Sequence, residues 1–75
     1  MDKALIEKAI ERNAPFLIKT AGGDTYEVPH RDFISFSAKR TTVIVSYEEN
    51  GEEKVADIPV LTISSVEASI HDVSS

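Results

Sequence analysis

The stretch TTVIVSYEENGEEKVADI, residues 41–58, decides the class of fold. Its first seven positions hold β-branched residues at five, Thr41–Val45, a composition typical of a β-strand. Asn50-Gly51 follows and favours a tight hairpin turn, because both residue types tolerate the positive φ angles that such a turn needs. EKVADI then returns as the second strand. The stretch therefore predicts an antiparallel hairpin in a mainly β chain.

Two short strands are predicted upstream of this hairpin around a glycine turn. FLIKTA, residues 16–21, and TYEV, residues 25–28, flank Gly22-Gly23-Asp24, which is a turn sequence. FISFS, residues 33–37, reads as the strand after them. Pro29 lies in between and marks a bend or a strand end, because proline cannot donate to a sheet.

The two ends of the chain differ in character. Asp2 can cap a helix predicted over residues 2–13, in which the apolar residues fall on one stripe. Asn13-Ala14-Pro15 should end it, since the residue before a proline avoids helical angles. After the hairpin, Pro59-Val60-Leu61 reads as a short break, and TISSVEASI, residues 62–70, reads as a closing strand.

One helix followed by five or six short, hairpin-linked strands predicts a small, highly bent, antiparallel barrel. Residues 1–70 are expected to form this single domain, with residues 71–75 as a flexible tail. We expect Phe16, Phe33 and Phe36 in its core, and Tyr47 as the aromatic residue nearest the surface.

The composition points to self-association. A chain of 75 residues buries a thin core, and without cysteine it forms neither disulfides nor thiolate metal sites. The two histidines, His30 and His71, do not suggest a zinc site. We therefore expect no metal and no cofactor, and a second copy of the chain as the first partner.

The charge disfavours nucleic acid as a partner. The net charge is −5, and residues 41–75 hold seven acidic residues and a single base, Lys54. Binding to phosphates needs the reverse balance, so RNA is only a second candidate partner. The longest uncharged run, Ile58–Val66, is too short to span a bilayer, and the start lacks the apolar stretch of a secretory signal. No membrane association and a cytoplasmic location are expected.

The order of elements resembles the Sm-like family, in particular the bacterial Hfq-like RNA chaperones that form rings. The resemblance lies in a helix leading into FLIKTAGGDTYEV, residues 16–28, then a long bent strand, then TTVIVSYEENG, residues 41–51. EEKVADIPVLTISSVEA, residues 52–68, resembles the family's second signature block. Other SH3-like small barrels share much of this order.

The resemblance implies a five-stranded barrel of the Sm-like or SH3-like kind, and a ring of identical subunits. In such rings the fourth strand of one subunit pairs with the fifth strand of the next, which here places Val55–Ile58 against Ile63–Val66. The expected interface residues are therefore Val55, Ile58, Ile63 and Val66. This pairing would cover strand edges that are otherwise open.

The resemblance does not extend to the family's uridine site. Ser37 stands where the family has an aspartate in the loop after the bent strand, and no asparagine follows it. The lysine-histidine pair that bacterial RNA-binding rings carry after the fourth strand is replaced by Asp57-Ile58-Pro59-Val60. These departures argue against uridine binding by the family's residues.

His30-Arg31-Asp32 invites a catalytic interpretation, with His30 as a general base oriented by Asp32. Neighbouring side chains on extended backbone point apart, however, and no nucleophile with a recognisable signature accompanies them. We favour a structural corner in which Asp32 accepts a backbone N–H, with Val28 and Phe33 entering the core on either side. An enzyme is not expected.

Other polar and aromatic residues leave two alternatives open. Arg31, Lys39, Arg40 and Tyr47 could form a local RNA-binding patch, with Tyr26 or Phe36 as further stacking partners. Lys39-Arg40 could equally be a solvated turn. The carboxylates around Asn50-Gly51 could hold a cation but are more simply a charged hairpin tip. The favoured function is a non-catalytic, ring-forming or otherwise homo-oligomeric scaffold, with RNA binding as the alternative.

Overall fold

The computed structural model describes residues 1–69, which contain one α-helix and six β-strands. Their bounds are α1 Lys3–Glu11, β1 Phe16–Thr20, β2 Thr25–Val28, β3 Ile34–Phe36, β4 Thr42–Glu49, β5 Glu52–Pro59 and β6 Ile63–Ala68. Two single-turn 3₁₀ helices interrupt the strands, η1 at Arg31–Phe33 and η2 at Val60–Thr62. The prediction of a mainly β chain with one N-terminal helix is confirmed. The tail predicted over residues 71–75 lies outside the described residues.

The helix begins as the sequence predicts and ends earlier. The Asp2 carboxylate accepts a hydrogen bond from the backbone N–H of Ala4 at 3.0 Å, which confirms the N-cap. The last helical residue is Glu11, and Asn13 takes a φ of 56°. Asparagine tolerates this left-handed conformation, which is a common way to end a helix. The helix is therefore stopped by Asn13 rather than by the proline that follows.

The strands form two separate antiparallel sheets of three strands each, in the orders β2-β1-β6 and β3-β4-β5. The prediction of a closed five-stranded barrel is therefore wrong in both respects for residues 1–69. The extra strand arises at Pro29, where the expected long bent strand breaks into β2 and β3. Proline supplies no N–H to a sheet, and η1 takes up the following residues.

One apolar core joins the helix and both sheets. The core contains residues from the inward side of α1, alternate residues of the central strands β1 and β4, and residues of the turn between β5 and β6. The buried residues are Ile6, Ala9, Phe16, Ile18, Val28, Ile34, Val43, Val45, Ile58, Val60 and Ile63. Alternation of buried and exposed positions along a strand produces this pattern, because successive side chains point to opposite faces.

The aromatic residues do not all lie where the sequence suggests. Phe16 is buried and Phe36 packs partly against the core, but Phe33 is 41% exposed. Phe33 sits on η1, outside the alternation of a strand, so it is not turned inward as expected. Tyr47 is partly buried, which makes Phe33 the most exposed aromatic residue and corrects both expectations.

The β4–β5 hairpin predicted from the sequence is confirmed. Asn50 and Gly51 have φ angles of 54° and 80°, the two positive values of a type I′ turn. Pairing runs from Thr42 opposite Pro59 to Glu49 opposite Glu52. The break predicted after β5 is also confirmed, as η2. No helix within residues 1–69 has the length and apolarity needed to cross a membrane.

Candidate functional site

His30-Arg31-Asp32 forms a corner, and His30 is the residue that holds it. Nδ1 of His30 accepts the backbone N–H of Asp32 at 3.1 Å and thereby caps η1. The expectation that Asp32 would be the acceptor is wrong, because the N–H to be satisfied at the start of this turn belongs to Asp32 itself. Val28 is buried beside the corner as expected, but Phe33 is not.

Arg40 is held against the body of the protein. Its guanidinium forms an ion pair with Glu7 of α1 and lies 4.7 Å from the centroid of the Phe36 ring. Arg40 has a φ of 60°, so the turn before β4 directs it back toward the helix. Lys39 beside it is exposed. The stacking role considered for Phe36 is thus taken by an arginine of the same chain.

Two residues of the candidate RNA patch, Lys39 and Arg40, do not lie beside Tyr47 on β4. Lys39 and Arg40 precede the start of β4, whereas Tyr47 lies near its end, about 17 Å further along a strand that rises about 3.3 Å per residue. Arg31 is exposed on η1. RNA binding by Arg31, Lys39, Arg40 and Tyr47 stays a prediction.

The residues expected at an oligomer interface differ in their exposure. Ile58 and Ile63 are 5% and 2% exposed, so their side chains belong to the core, whereas Val55 is 62% exposed and Val66 is partly buried. The backbone of these segments is nevertheless at the edge of each sheet, because in the described part of the chain β5 pairs with β4 alone and β6 with β1 alone. Contact between subunits through the backbone of β5 and β6 stays a prediction.

The carboxylates at the hairpin tip face one another across the strands. Glu48 lies opposite Glu53 and Glu49 opposite Glu52, and the Lys54 ammonium contacts the Glu49 carboxylate at 3.0 Å. Like charges directly opposite each other are unfavourable. Within residues 1–69, no group of three or more carboxylate and histidine side chains is placed to hold a metal ion.

A groove lies between β2 and β4, and we call it the acidic aromatic groove. It has a volume of about 560 Å³. Its lining residues are Thr25, Tyr26, Glu27, Pro29, Phe33, Ser46, Tyr47, Glu48 and Glu49. The rings of Tyr26 and Tyr47 meet at its floor with centroids 5.9 Å apart. Three of the nine lining residues are glutamates and none is basic.

No pattern in the sequence signals this groove directly. Tyr26 and Tyr47 lie on strands of different sheets, so only the tertiary fold places them side by side. The available signal was compositional, since the acidic residues and Tyr47 cluster around the hairpin. Burial raises the pKa of the Tyr26 hydroxyl above its usual value, and the negative charge of Asp24 and the neighbouring Tyr47 add to the effect.

A second, apolar cleft lies at the other end of the hairpin, next to η2. It is lined by Met1, Asp2 and Lys3 on one side and by the end of β5 and η2 on the other. Leu61, on η2, is 90% exposed and is the most exposed large apolar side chain within residues 1–69.

Comparison with family models, with curated proteins and with solved structures yields no match for this chain. Two surfaces remain from which function can be inferred. They are the acidic aromatic groove and the open edges of β5 and β6, together with Leu61 between those strands.

Proposed function

We propose that this chain is a non-catalytic, homo-oligomeric interaction module of the Sm-like or SH3-like kind. In the assembly, β5 of one copy pairs with β6 of the next copy. The observation that carries this proposal is that, within residues 1–69, each of these strands pairs with another strand on one side only. A strand edge presents unpaired N–H and C=O groups, and pairing with another chain is the most direct way to satisfy them.

The two edges suit each other chemically. The second half of β5, Val55–Pro59, carries one charged residue, Asp57, and the first half of β6, Ile63–Val66, carries none. Charged side chains are the usual protection of an open edge, and these halves are nearly free of them. They coincide with the segments that the resemblance to Sm-like rings assigns to the subunit interface.

Exposed apolar side chains accompany the edges. Val55 on β5 and Leu61 on η2 are 62% and 90% exposed. Burying these side chains in a contact would remove apolar surface from water, which is favourable by about 25 cal/mol of free energy per Å². A small domain with a thin core gains stability in this way, which agrees with the expectation from chain length.

The contact would join two different edges, so each copy would have two neighbours. Such a head-to-tail arrangement closes into a ring if the rotation between copies allows it, and otherwise continues as a filament. The likeness to Sm-like proteins favours the ring. A defined particle of several copies is therefore the expected product.

The test is the mass in solution, measured by light scattering after size-exclusion chromatography over a range of concentrations. Leu61→Asp changes a side chain that is 90% exposed, so the fold should persist while the particle shifts to a smaller mass. Phe33→Ser, a change of an exposed apolar residue on η1, is the matched control and should leave the mass unchanged. A parent chain that is monomeric throughout would remove the proposal.

A further inference from the structure

The walls of the acidic aromatic groove are strands that have no pairing strand on one side within residues 1–69. Among the described residues, β2 is an edge strand whose pairing strand is β1. β3 covers only Val43–Val45 of β4, so within residues 1–69 no strand pairs with Ser46–Glu49 on that side. An extended peptide in the groove would lie along Ser46–Glu49 of β4 and pair with its main chain, as in recognition by strand addition.

The floor of the groove is aromatic. Tyr26 and Tyr47 contact each other edge to face, at an interplanar angle of 65°. Phe33, 41% exposed, borders the same space together with Pro29. Aromatic ring faces carry negative electrostatic potential and attract an ammonium or guanidinium group held within about 6 Å.

The rim of the groove is negatively charged. Glu27, Glu48 and Glu49 line it, and Glu53 contributes to an adjoining depression that also touches Phe33 and Tyr47. The chain itself places one cation close by, since Lys54 lies opposite Tyr47 and its ammonium contacts Glu49. A positively charged side chain is thus already stable at this rim.

We propose that the acidic aromatic groove binds a lysine or arginine side chain of a partner protein, presented on an extended basic peptide. Charge complementarity selects the occupant, because the lining holds three glutamates and no base. The aromatic floor distinguishes this place from a mere cluster of carboxylates, since it favours a cation with an apolar stem. The same negative charge repels phosphate, so nucleic acid is not the ligand.

The groove is formed within one copy of the chain, by β2, η1 and β4. Its occupation is therefore independent of the pairing between β5 and β6. The Leu61→Asp variant should bind the same peptide as the parent chain, so failure of one proposal would not be mistaken for failure of the other.

The probe is a fluorescently labelled nine-residue peptide in which lysine alternates with serine. Its matched control is the same peptide with every lysine acetylated, which keeps the shape and removes the charge. Fluorescence anisotropy measures affinity. The chain has two tyrosines, Tyr26 and Tyr47, and both lie in the groove, so their ring signals in nuclear magnetic resonance spectra report occupation directly.

The lysine peptide should bind and shift both tyrosine ring signals, and the acetylated peptide should do neither. Glu48→Gln and Phe33→Ser should each weaken binding about fivefold or more, in line with the loss of a rim charge or a ring face. Glu11→Gln on α1 changes the net charge by the same amount away from the groove and should have little effect.

Three results would overturn the proposal. The first is equal binding of the acetylated peptide. The second is equal weakening by Glu11→Gln and Glu48→Gln, which would indicate only the overall charge of the protein. The third is displacement of the lysine peptide by an oligouridylate, which would mean that the groove is a nucleic-acid site.

Discussion

The ring of Tyr26 on β2 meets the ring of Tyr47 on β4 edge to face, with centroids 5.9 Å apart. β2 and β4 belong to different three-stranded sheets that share no hydrogen-bonded strand pair within residues 1–69. The two tyrosines therefore connect the sheets through side chains. They also form the floor of the acidic aromatic groove.

Replacing Tyr47 with leucine should lower the free energy of unfolding by about 1 kcal/mol, because an edge-to-face pair contributes about 0.5–1.5 kcal/mol beyond its buried area. Urea denaturation measures the change. Tyr26→Leu and the double variant complete a cycle that isolates the coupling between the rings. Strictly additive effects of the two substitutions would show that the rings do not stabilise each other.

Stability should fall at alkaline pH because of Tyr26. Its pKa is raised above the usual 10.0 in the folded state, first by burial and then by Asp24 and Tyr47. Above pH 10 the unfolded chain loses this proton while the folded chain keeps it, so folding becomes less favourable until the folded pKa is passed. Below pH 10 the contribution is fully present and constant.

Denaturation midpoints measured through and above pH 10 test this, with Tyr26→Phe as the control. The stability of the variant should fall less above pH 10 than that of the parent chain, because the contribution of Tyr26 is absent. Tyrosinate absorbance of the folded protein should show one group titrating above the usual value. A decline that is identical in Tyr26→Phe would assign the effect to other groups.

Lys39 and Arg40 should respond differently to substitution although they are neighbours. Arg40→Ala removes the ion pair with Glu7 and the contact with the Phe36 ring, and we expect a loss of about 1 kcal/mol. Lys39→Ala changes an exposed side chain and should alter stability by less than about 0.5 kcal/mol. Thermal or urea unfolding of both variants measures the difference.

The same two variants bear on the RNA alternative. If a basic patch at Lys39 and Arg40 binds RNA, affinity at low salt should fall with added salt and with both substitutions. Lys39→Ala is the cleaner variant, because its effect on folding should be small. RNA binding that weakens only with Arg40→Ala would follow stability rather than phosphate contact.

Local signals in the sequence located most of the elements. The Asp2 cap, the strand TYEV and the Asn50-Gly51 turn each depend on residues next to one another, and the structure confirms all three. The division into two sheets was not predictable in this way, since it depends on which distant strands pair. Pro29 was the local indication of a break between β2 and β3, because a proline can mark either a bend or a strand end.

The candidate sites show the same limit. His30 was identified, but its role as acceptor depends on which N–H the turn leaves free. Phe33 has a large apolar side chain of the kind usually found in a core. It is exposed because η1 interrupts the alternation of inward and outward side chains along the strand. The groove itself requires two tyrosines that are separated in sequence and joined only by packing between the sheets.

Two glycines give a matched pair of opposite predictions. Gly51 has a φ of 80°, in the left-handed region where a Cβ is strained, so Gly51→Ala should cost about 1 kcal/mol of folding free energy. Gly22 has no such angle, and an added Cβ would approach Thr20 Oγ1 at 3.9 Å, an ordinary contact. Gly22→Ala should therefore stabilise the protein by about 0.4–1 kcal/mol, because it restricts the unfolded chain.

Urea denaturation of both variants, with equal slopes required, measures these effects. The two substitutions add the same methyl group, so their difference reports backbone conformation and not side-chain chemistry. Both lie in turns with open space or ordinary contact around the new atom, which removes steric clash as an explanation. Equal changes in stability would mean that the β4–β5 turn does not require the positive φ at Gly51. The pairing register of the hairpin, which positions Tyr47, would then be determined by contacts between β4 and β5 and not by the turn.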